Sequence, residues 1–200
     1  SKLIDYNAHA AATMAQAVSQ SYAGEFIHSQ HPNLRKRTQL QFTSRDALKE
    51  CDVLFLATPH GESQKQIEHW AGFAPKIVDL SADFRLRDAA LYERWYGEKH
   101  AAPEWLDKFV YGLPELRREE MKTASYISGV GCNATASNLA LLPLVRADLL
   151  HVSKPVVVDV KTGSSEGGAT ANPGSHHPEK SHSVRSYAPT GHRHTAEVIQ

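Results

Sequence analysis

The stretch SGVGCNATASNLALLPL, residues 128–144, sets a cysteine among small residues directly before a run of helix formers. Gly129 and Gly131 would let the backbone turn tightly between a strand and a helix. A helix beginning behind Cys132 would supply free N–H groups from residues 133–135 and the positive end of its dipole, which favour a thiolate. The same N–H groups suit an oxyanion formed when a thiolate attacks a carbonyl. Cys132 is therefore a candidate nucleophile, and a small buried thiol is the alternative.

A nucleophilic thiolate needs an acid or base partner, and PTGHRHTAE near the end of the chain offers a pair of histidines. His192 and His194 lie on one side of the segment if it is extended, and Glu197 could orient or charge one of them. The alternative is a pair of surface histidines, because a distant histidine assists a cysteine only if the fold brings the two together. Cys51 enters a strand with no glycine beside it and is interpreted as structural.

The other polar motifs favour binding or structure over catalysis. GSSEGG, residues 163–168, offers hydroxyl and amide groups that suit a phosphate or carboxylate, and a flexible linker is the alternative. His60 either lines a cofactor cleft at a strand end or is a solvated loop residue, and the second interpretation is preferred. DLSADFR is interpreted as internal scaffolding. His176 and His177 lack a third ligand at metal spacing, so no metal site is predicted.

The order of predicted elements favours an α/β fold with a doubly wound parallel sheet. Val53 to Ala57 is apolar on both faces, as expected for a buried parallel strand. Residues 85–116 are interpreted as aromatic and irregular. Further strands are predicted at 14–19, 76–84, 124–128 and 154–161, and helices over the first residues (with Leu3 and Ile4) and at 44–49, 62–72 and 135–146.

The overall composition excludes several classes of protein. The formal net charge is zero, so nothing indicates a nucleic-acid or membrane-surface partner. No apolar run approaches the roughly 20 residues that a membrane-spanning helix requires. Cys51 and Cys132 do not form a disulfide framework, and a cytoplasmic location is expected.

Several motifs follow one another along the chain: TPHG (58–61), DLSADFRL (79–86), YGLPEL (111–116), GCNATA (131–136) and GHRHTAE (191–197). In order and spacing, over essentially the whole chain, they resemble the N-acetyl-γ-glutamyl-phosphate reductases. The resemblance implies a Rossmann-type NADP-binding domain over residues 1–150, ending with the Cys132 helix. It implies that an α+β catalytic domain of the aspartate-semialdehyde-dehydrogenase type begins at residue 151.

The same resemblance implies a reaction in which an acyl phosphate is reduced to an aldehyde with NADPH. Cys132 would displace phosphate to give a thioester, and hydride would reduce the thioester to a thiohemiacetal that collapses to the semialdehyde. His192 or His194 would act as general acid and base, with His192 preferred. Ser164 and Ser165 would contact the substrate or its phosphate.

The resemblance also implies where the cofactor lies. Ser19, Gln20 and Ser21 follow a strand at the position where the family contacts the adenosine ribose or its phosphate. No acidic residue stands there, which is compatible with NADP. Thr58 is the other predicted cofactor contact.

One branch of the family looks closer than the rest. The arginine-pathway enzymes carry Pro-Gly-Cys-Tyr-Pro-Thr at the nucleophile, whereas this chain has VGCNAT at 130–135. With GSSEGG, SHHPEK and YAGEFIHSQHPNLR, this variant resembles the lysine-pathway reductases, whose 2-aminoadipate 6-phosphate is attached to a small acidic amino-group carrier protein. Some members also process the carrier-linked glutamyl phosphate of arginine synthesis. A homo-oligomer, a tetramer by resemblance, is expected.

Alternatives remain at this point. Arg35, Lys36 and Arg37 are candidates for the face that receives the carrier, although a solvated loop is the preferred interpretation. A reductase of free N-acetyl-γ-glutamyl phosphate is the close functional alternative, and a nucleotide-binding scaffold is the non-enzymatic one. The family's glycine-rich turn would precede Ser1 and its chain would continue past Gln200. An internal fragment lacking both ends, inactive or poorly folded alone, is therefore expected.

Overall fold

The computed structural model describes residues 13–151, 153–168, 170 and 172–200. The helix predicted over the first residues, including Leu3 and Ile4, lies outside this part of the chain. The chain divides into two compact units, of which the first comprises residues up to Leu54 together with Glu68–Ile77. The second comprises Phe55–Ile67 and Val78–Gln200.

Short strands and helices alternate along the described residues. The strands are β1 (Ala17–Val18), β2 (Phe42–Thr43), β3 (Val53–Leu56), β4 (Lys76–Asp79), β5 (Phe109–Tyr111) and β6 (Tyr126–Ser128). The α helices are α1 (Ile27–Gln30), α2 (Ile67–Ala71), α3 (Ala89–Tyr96), α4 (Pro114–Thr123), α5 (Cys132–Arg146), α6 (His177–Lys180) and α7 (His194–Ile199). Turns of 3₁₀ helix occupy Pro32–Leu34, Arg45–Ala47, Gln64–Gln66, Pro103–Lys108 and Ser164–Gly167.

The strands form a pair and a four-stranded sheet. β1 and β2 are parallel, with Ala17 opposite Phe42. The larger sheet has the order β3-β4-β6-β5, and β5 runs parallel to β6 with Phe109 opposite Tyr126. Because the neighbours β4 and β6 are not consecutive in sequence, helices cross between strands, which is how parallel sheets are connected. The predicted α/β class is confirmed.

Two strand predictions are corrected. Val53 and Phe55 are 41% and 46% exposed, so β3 is not buried on both faces. β3 lies at the edge of its sheet, where one side of the strand has no neighbour in the described residues. No strand forms at 154–161, and Val157 is 88% exposed. β-branched residues favour a strand only where another strand pairs with them.

The segment interpreted as irregular contains a regular helix, α3. The Asp88 carboxylate accepts hydrogen bonds from the backbone N–H groups of Ala90 and Leu91, which caps the first turn. The helix ends at Gly97, whose φ of 77° lies in the left-handed region that glycine adopts without strain. An acidic cap and a terminal glycine around AALYERWY are helix signals that the sequence does contain.

The core beneath the candidate site joins α3 to α7. Leu86, Tyr92 and Ala196 form a fully buried cluster against which Leu91 and Trp95 pack. Ala196 lies between His194 and Glu197 on α7. Its packing therefore fixes the position of α7 along its axis and its rotation about that axis, and with them the placement of His194 and Glu197. Burial of such a cluster contributes about 25 cal/mol per Å² of apolar surface.

Replacing Asp88 with alanine should lower the free energy of unfolding by about 1 kcal/mol, because the first turn of α3 loses its acceptor. Urea denaturation of the protein at its natural length measures this change. Asp107→Ala removes an exposed carboxylate that makes no side-chain hydrogen bond in the described residues, and serves as the control. Equal losses in both variants would contradict the capping role.

Candidate active site

Cys132 stands at the first position of α5, just beyond the end of a strand. β6 ends at Ser128, and Gly131 is the N-cap of the helix. The N–H and the hydroxyl of Thr135 both donate to the Gly131 carbonyl, each at 2.8 Å, which closes the first turn. The Cys132 side chain is exposed. The predicted strand, tight turn and helix are thus confirmed. The N–H groups of Asn133 and Ala134 precede the first hydrogen bond of the helix and have no partner within it, whereas the Thr135 N–H, also predicted to be free, is engaged by the Gly131 carbonyl.

The turn before Cys132 is held by a buried carboxylate, that of Glu197. This side chain, 0% exposed, accepts the Gly131 N–H at 2.9 Å and the Tyr111 hydroxyl at 2.8 Å. The Arg85 guanidinium donates to its other oxygen at 3.1 Å, and also donates to the Gly129 carbonyl at 2.7 Å. Two successive glycine peptides of the turn are therefore tied to one buried ion pair.

His194 lies directly against this turn. A Cβ atom at position 131 would lie 2.7 Å from His194 Nε2 and 2.6 Å from Glu197 Oε1, so only glycine leaves room for both groups. Burial lowers the pKa of His194 to about 4, with the Glu197 charge opposing the shift and the charges of His192, Arg85 and Arg193 adding to it. The imidazole is therefore neutral near pH 7 and can accept a proton. The structure thus places the His194 ring against Gly131, the residue that precedes Cys132.

His192 lies beside His194 and contacts it in two ways. Its Nδ1 accepts the backbone N–H of His194 at 3.1 Å, and the two rings meet edge to face at 4.5 Å. Tyr187 lies 5.8 Å from the His192 ring, and its hydroxyl accepts a hydrogen bond from Asn133 Nδ2 at 3.0 Å. Tyr187 thus connects His192 to the residue that follows the cysteine.

The GSSEGG segment also lies beside the cysteine. The Cys132 thiol donates to Glu166 Oε1 at 3.5 Å, which places the 3₁₀ turn Ser164–Gly167 at the site. Ser164 Oγ lies 3.2 Å from His177 Nδ1. Glu166 was not among the predicted residues, although a carboxylate following the two serines is visible in the sequence. Ser164 and Ser165 remain predictions as substrate contacts.

The acidic motif behind the site is scaffolding, as interpreted from sequence. Asp83 accepts hydrogen bonds from the N–H groups of Gly61 and Gln64 and from the Ser63 hydroxyl, at 2.7, 3.0 and 2.9 Å. Asp79 accepts the Ser81 hydroxyl at 2.6 Å, and burial raises its pKa to about 6 despite that hydrogen bond. Among the described residues no group of three or more His, Cys, Asp or Glu side chains could hold a metal ion.

Comparison with known proteins places the chain in a family. Residues 2–124 match the semialdehyde dehydrogenase NAD-binding domain, and residues 132–200 match the semialdehyde dehydrogenase dimerisation domain. The chain belongs to the semialdehyde dehydrogenase family. The first match indicates a nicotinamide cofactor for this domain type. The predicted relationship to reductases with an aspartate-semialdehyde-dehydrogenase fold is confirmed.

Individual relatives of this semialdehyde dehydrogenase chain are named for carrier-linked substrates. A Thermomicrobium roseum protein provisionally named LysW-L-2-aminoadipate 6-phosphate reductase is 51% identical over 96% of this chain and 54% of its own length. The LysW-L-2-aminoadipate 6-phosphate reductase of Deinococcus radiodurans is 46% identical over 94% of this chain and 53% of its own. The Saccharolobus solfataricus LysW-L-2-aminoadipate/LysW-L-glutamate phosphate reductase is 46% identical over 96% and 55%. The chain spans about half the length of these curated relatives.

The predicted cofactor residues of this family member lie in separate units. In the first unit Ser19, Gln20 and Ser21 follow β1, and the Ser19 N–H donates to Thr43 O at 3.0 Å. In the second unit Thr58 Oγ1 is buried and has no hydrogen-bond partner in the described residues. A buried hydroxyl without a partner fits a polar group of a ligand, since such a group otherwise costs free energy. No helix in the described part of the chain is long and apolar enough to cross a membrane.

Replacing Gly131 with alanine should destabilise the protein by about 1–3 kcal/mol, because the new methyl group overlaps Glu197 and His194. Urea denaturation measures the loss. Gly191→Ala is the matched control, since a Cβ there has no heavy atom within 4 Å and its φ is not left-handed. Similar stabilities for the two variants would refute the close approach at Gly131.

Protonation of His194 should lower the free energy of unfolding at acid pH. Its pKa of about 4 in the folded chain lies below the ordinary 6.5, so its contribution is complete above pH 6.5 and is lost as the pH falls towards 4. Asp79, with a raised pKa of about 6, acts in the opposite sense and favours the folded state at low pH. His194→Gln should therefore lose less stability than the parent between pH 7 and 4.5. Chemical denaturation across that range tests this, with His151→Gln, an exposed histidine, as control; a slope unchanged in His194→Gln would contradict it.

Proposed function

We propose that this chain is the catalytic part of an NADP-dependent reductase that converts an acyl phosphate into an aldehyde through a Cys132 thioester. The observation that supports it is the placement of an exposed Cys132 at the start of α5, with its turn tied to Glu197 and packed against His194. A thiol, a neutral imidazole and free N–H groups are the components that acyl transfer requires.

In the first step Cys132 attacks the acyl carbon and the C–O bond to phosphate breaks, which leaves a thioester and inorganic phosphate. We assign proton transfer to His194 rather than to His192, the residue preferred from the sequence, because the His194 ring lies against Gly131 and His192 lies beside it. The N–H groups of the first turn of α5 would stabilise the oxyanion. Glu197 positions the imidazole and the turn without touching the reacting atoms.

When bound, NADPH supplies the hydride that reduces the thioester. The thiohemiacetal that forms on Cys132 then breaks its C–S bond, releasing the semialdehyde and regenerating the sulfur. We assign Ser19, Gln20 and Ser21 to the adenosine ribose or its phosphate, and Thr58, by its unpaired hydroxyl, to another polar group of the cofactor. Their roles are proposed separately, since they belong to different units.

The substrate proposed is 2-aminoadipyl 6-phosphate attached to a small acidic carrier protein, with carrier-linked glutamyl 5-phosphate as a second substrate. The names of the relatives support this choice, and so does VGCNAT at the nucleophile. Ser164 and Ser165 would contact the substrate, since their turn lies beside Cys132. Arg35 and Lys36 are exposed and suit an acidic partner.

The setting proposed for this reaction is cytoplasmic lysine biosynthesis, with a further role in arginine biosynthesis. Residues 1–150 would form the cofactor domain and residues 151–200 the start of the catalytic domain. The match of residues 132–200 to a dimerisation domain supports a homo-oligomer, for which we propose a tetramer.

Cys132→Ser should lower turnover by at least about a thousandfold in the protein at its natural length, because a hydroxyl is a far weaker nucleophile at neutral pH. NADPH oxidation with the carrier-linked acyl phosphate measures it, and Cys51→Ser is the control. Full activity of Cys132→Ser would refute the thioester and favour a scaffold. Turnover of free N-acetyl-γ-glutamyl phosphate alone would refute the carrier-linked substrate.

A further inference from the structure

His60 and Arg193 approach each other closely, but the two nitrogens that face each other cannot form a hydrogen bond. Arg193 Nη2 lies 3.2 Å from His60 Nε2, and on the other side of the ring His60 Nδ1 receives the Ala82 N–H at 2.9 Å. Ala82 is fully buried, so its N–H has to keep this acceptor. Nδ1 is therefore unprotonated and the ring proton resides on Nε2. Turning the ring over would remove the acceptor from Ala82.

The consequence is that two hydrogen-bond donors face each other. Arginine has donors and no acceptor, and the Nε2–H of His60 is also a donor, so no hydrogen bond can join them directly. Burial and the charges of Arg193 and Arg85 lower the pKa of His60, which keeps the ring neutral without supplying an acceptor at Nε2. A single oxygen about 2.9 Å from both nitrogens would satisfy both donors.

Arg193 has no carboxylate to serve as that acceptor. In the described residues it forms no ion pair, and its guanidinium lies 5.8 Å from the centre of the Tyr96 ring. The carboxylates of Asp83 and Glu197 act on His60 electrostatically, yet each is engaged elsewhere. Asp83 accepts three donors from residues 61–64, and Glu197 is paired with Arg85.

Both residues of the pair stand next to candidate site residues in the sequence. Arg193 separates His192 from His194 in sequence, and His60 follows Thr58, whose buried hydroxyl is unpaired. Both side chains are exposed, so a ligand can reach them. We propose that His60 and Arg193 together bind a phosphoryl oxygen, contributed by the acyl phosphate and its released phosphate or by the dinucleotide. This inference rests on the proposed function, because that reaction brings phosphoryl groups to the site.

The test measures binding of inorganic phosphate and, separately, of NADPH by calorimetry, with the protein at its natural length. Arg193→Met removes the cation, and His60→Asn keeps an acceptor for the Ala82 N–H while removing the Nε2–H donor. Arg94→Met is the matched control, because Arg94 also lies beside an aromatic ring, 6.0 Å from Trp95, without a histidine partner.

A loss of about tenfold or more in phosphate affinity in both variants, with Arg94→Met unchanged, would support the pair as the subsite of the leaving phosphate. The same loss for NADPH instead would support a dinucleotide phosphate. Unchanged affinity for both ligands, or equal weakening in Arg94→Met, would overturn the proposal.

A second measurement needs no variant. Long-range ¹⁵N–¹H spectra of the unmodified protein should show the His60 proton on Nε2, and added phosphate should shift that resonance. A proton on Nδ1, or no shift with either saturating phosphate or saturating NADPH, would overturn the inference. Binding is measured without turnover, so the outcomes stay separate. Phosphate bound by the pair in a protein whose Cys132→Ser variant is fully active would refute only the proposed function.

Discussion

The carboxylate of Glu197 is the interaction on which the second unit depends. A carboxylate taken out of water costs several kcal/mol unless charge and hydrogen bonds replace its hydration. Arg85, Tyr111 and the Gly131 N–H supply that replacement, and they lie 112, 86 and 66 residues away along the chain. One desolvated group therefore connects the segment after β4, the strand β5, the turn before α5 and the helix α7.

The turn that carries Cys132 is therefore positioned by groups that lie far from it in the sequence. Arg85 and Glu197 are both buried, so neither can lose the other without leaving an unpaired charge. Arg85 binds the Gly129 carbonyl and Glu197 binds the Gly131 N–H, so the ion pair holds the backbone on both sides of the turn. The direction of the Cys132 side chain therefore depends on this ion pair. The hydrophobic cluster around Tyr92 and Ala196 then prevents α7 from sliding along that contact.

Local signals in the sequence predicted most of the elements and the placement of Cys132. Glycines before a helix former give a turn at Gly131, and the alternation of elements gives the α/β class, because both depend on neighbours in the chain. Two predictions were wrong: that Val53 and Phe55 are buried, and that a strand forms around Val157. Both properties depend on which elements lie beside a strand, and the local sequence does not contain that information. Several different motifs indicated the family, since long matches that follow one another in the same order are specific.

The contacts within the candidate site could not be predicted from such local signals. Glu197 was suspected only as a partner of a histidine, and Arg85 only as scaffolding, because nothing local pairs residues so far apart. No sequence pattern marks Tyr111 as a partner of Glu197 or Glu166 as a neighbour of Cys132. The donor conflict at His60 needed both the Ala82 contact and the Arg193 contact before it could be seen.

The distance in sequence between Gly131 and Glu197 also means that the two residues are synthesised at different times. Chains are synthesised at about 5–20 residues per second, so these 66 residues correspond to roughly 3–13 s of synthesis. During that interval the thiol of Cys132 has been made while the carboxylate that fixes its turn has not. A nascent chain thus carries the Cys132 thiol before the turn around it is fixed, and α7, which is made later, completes that turn.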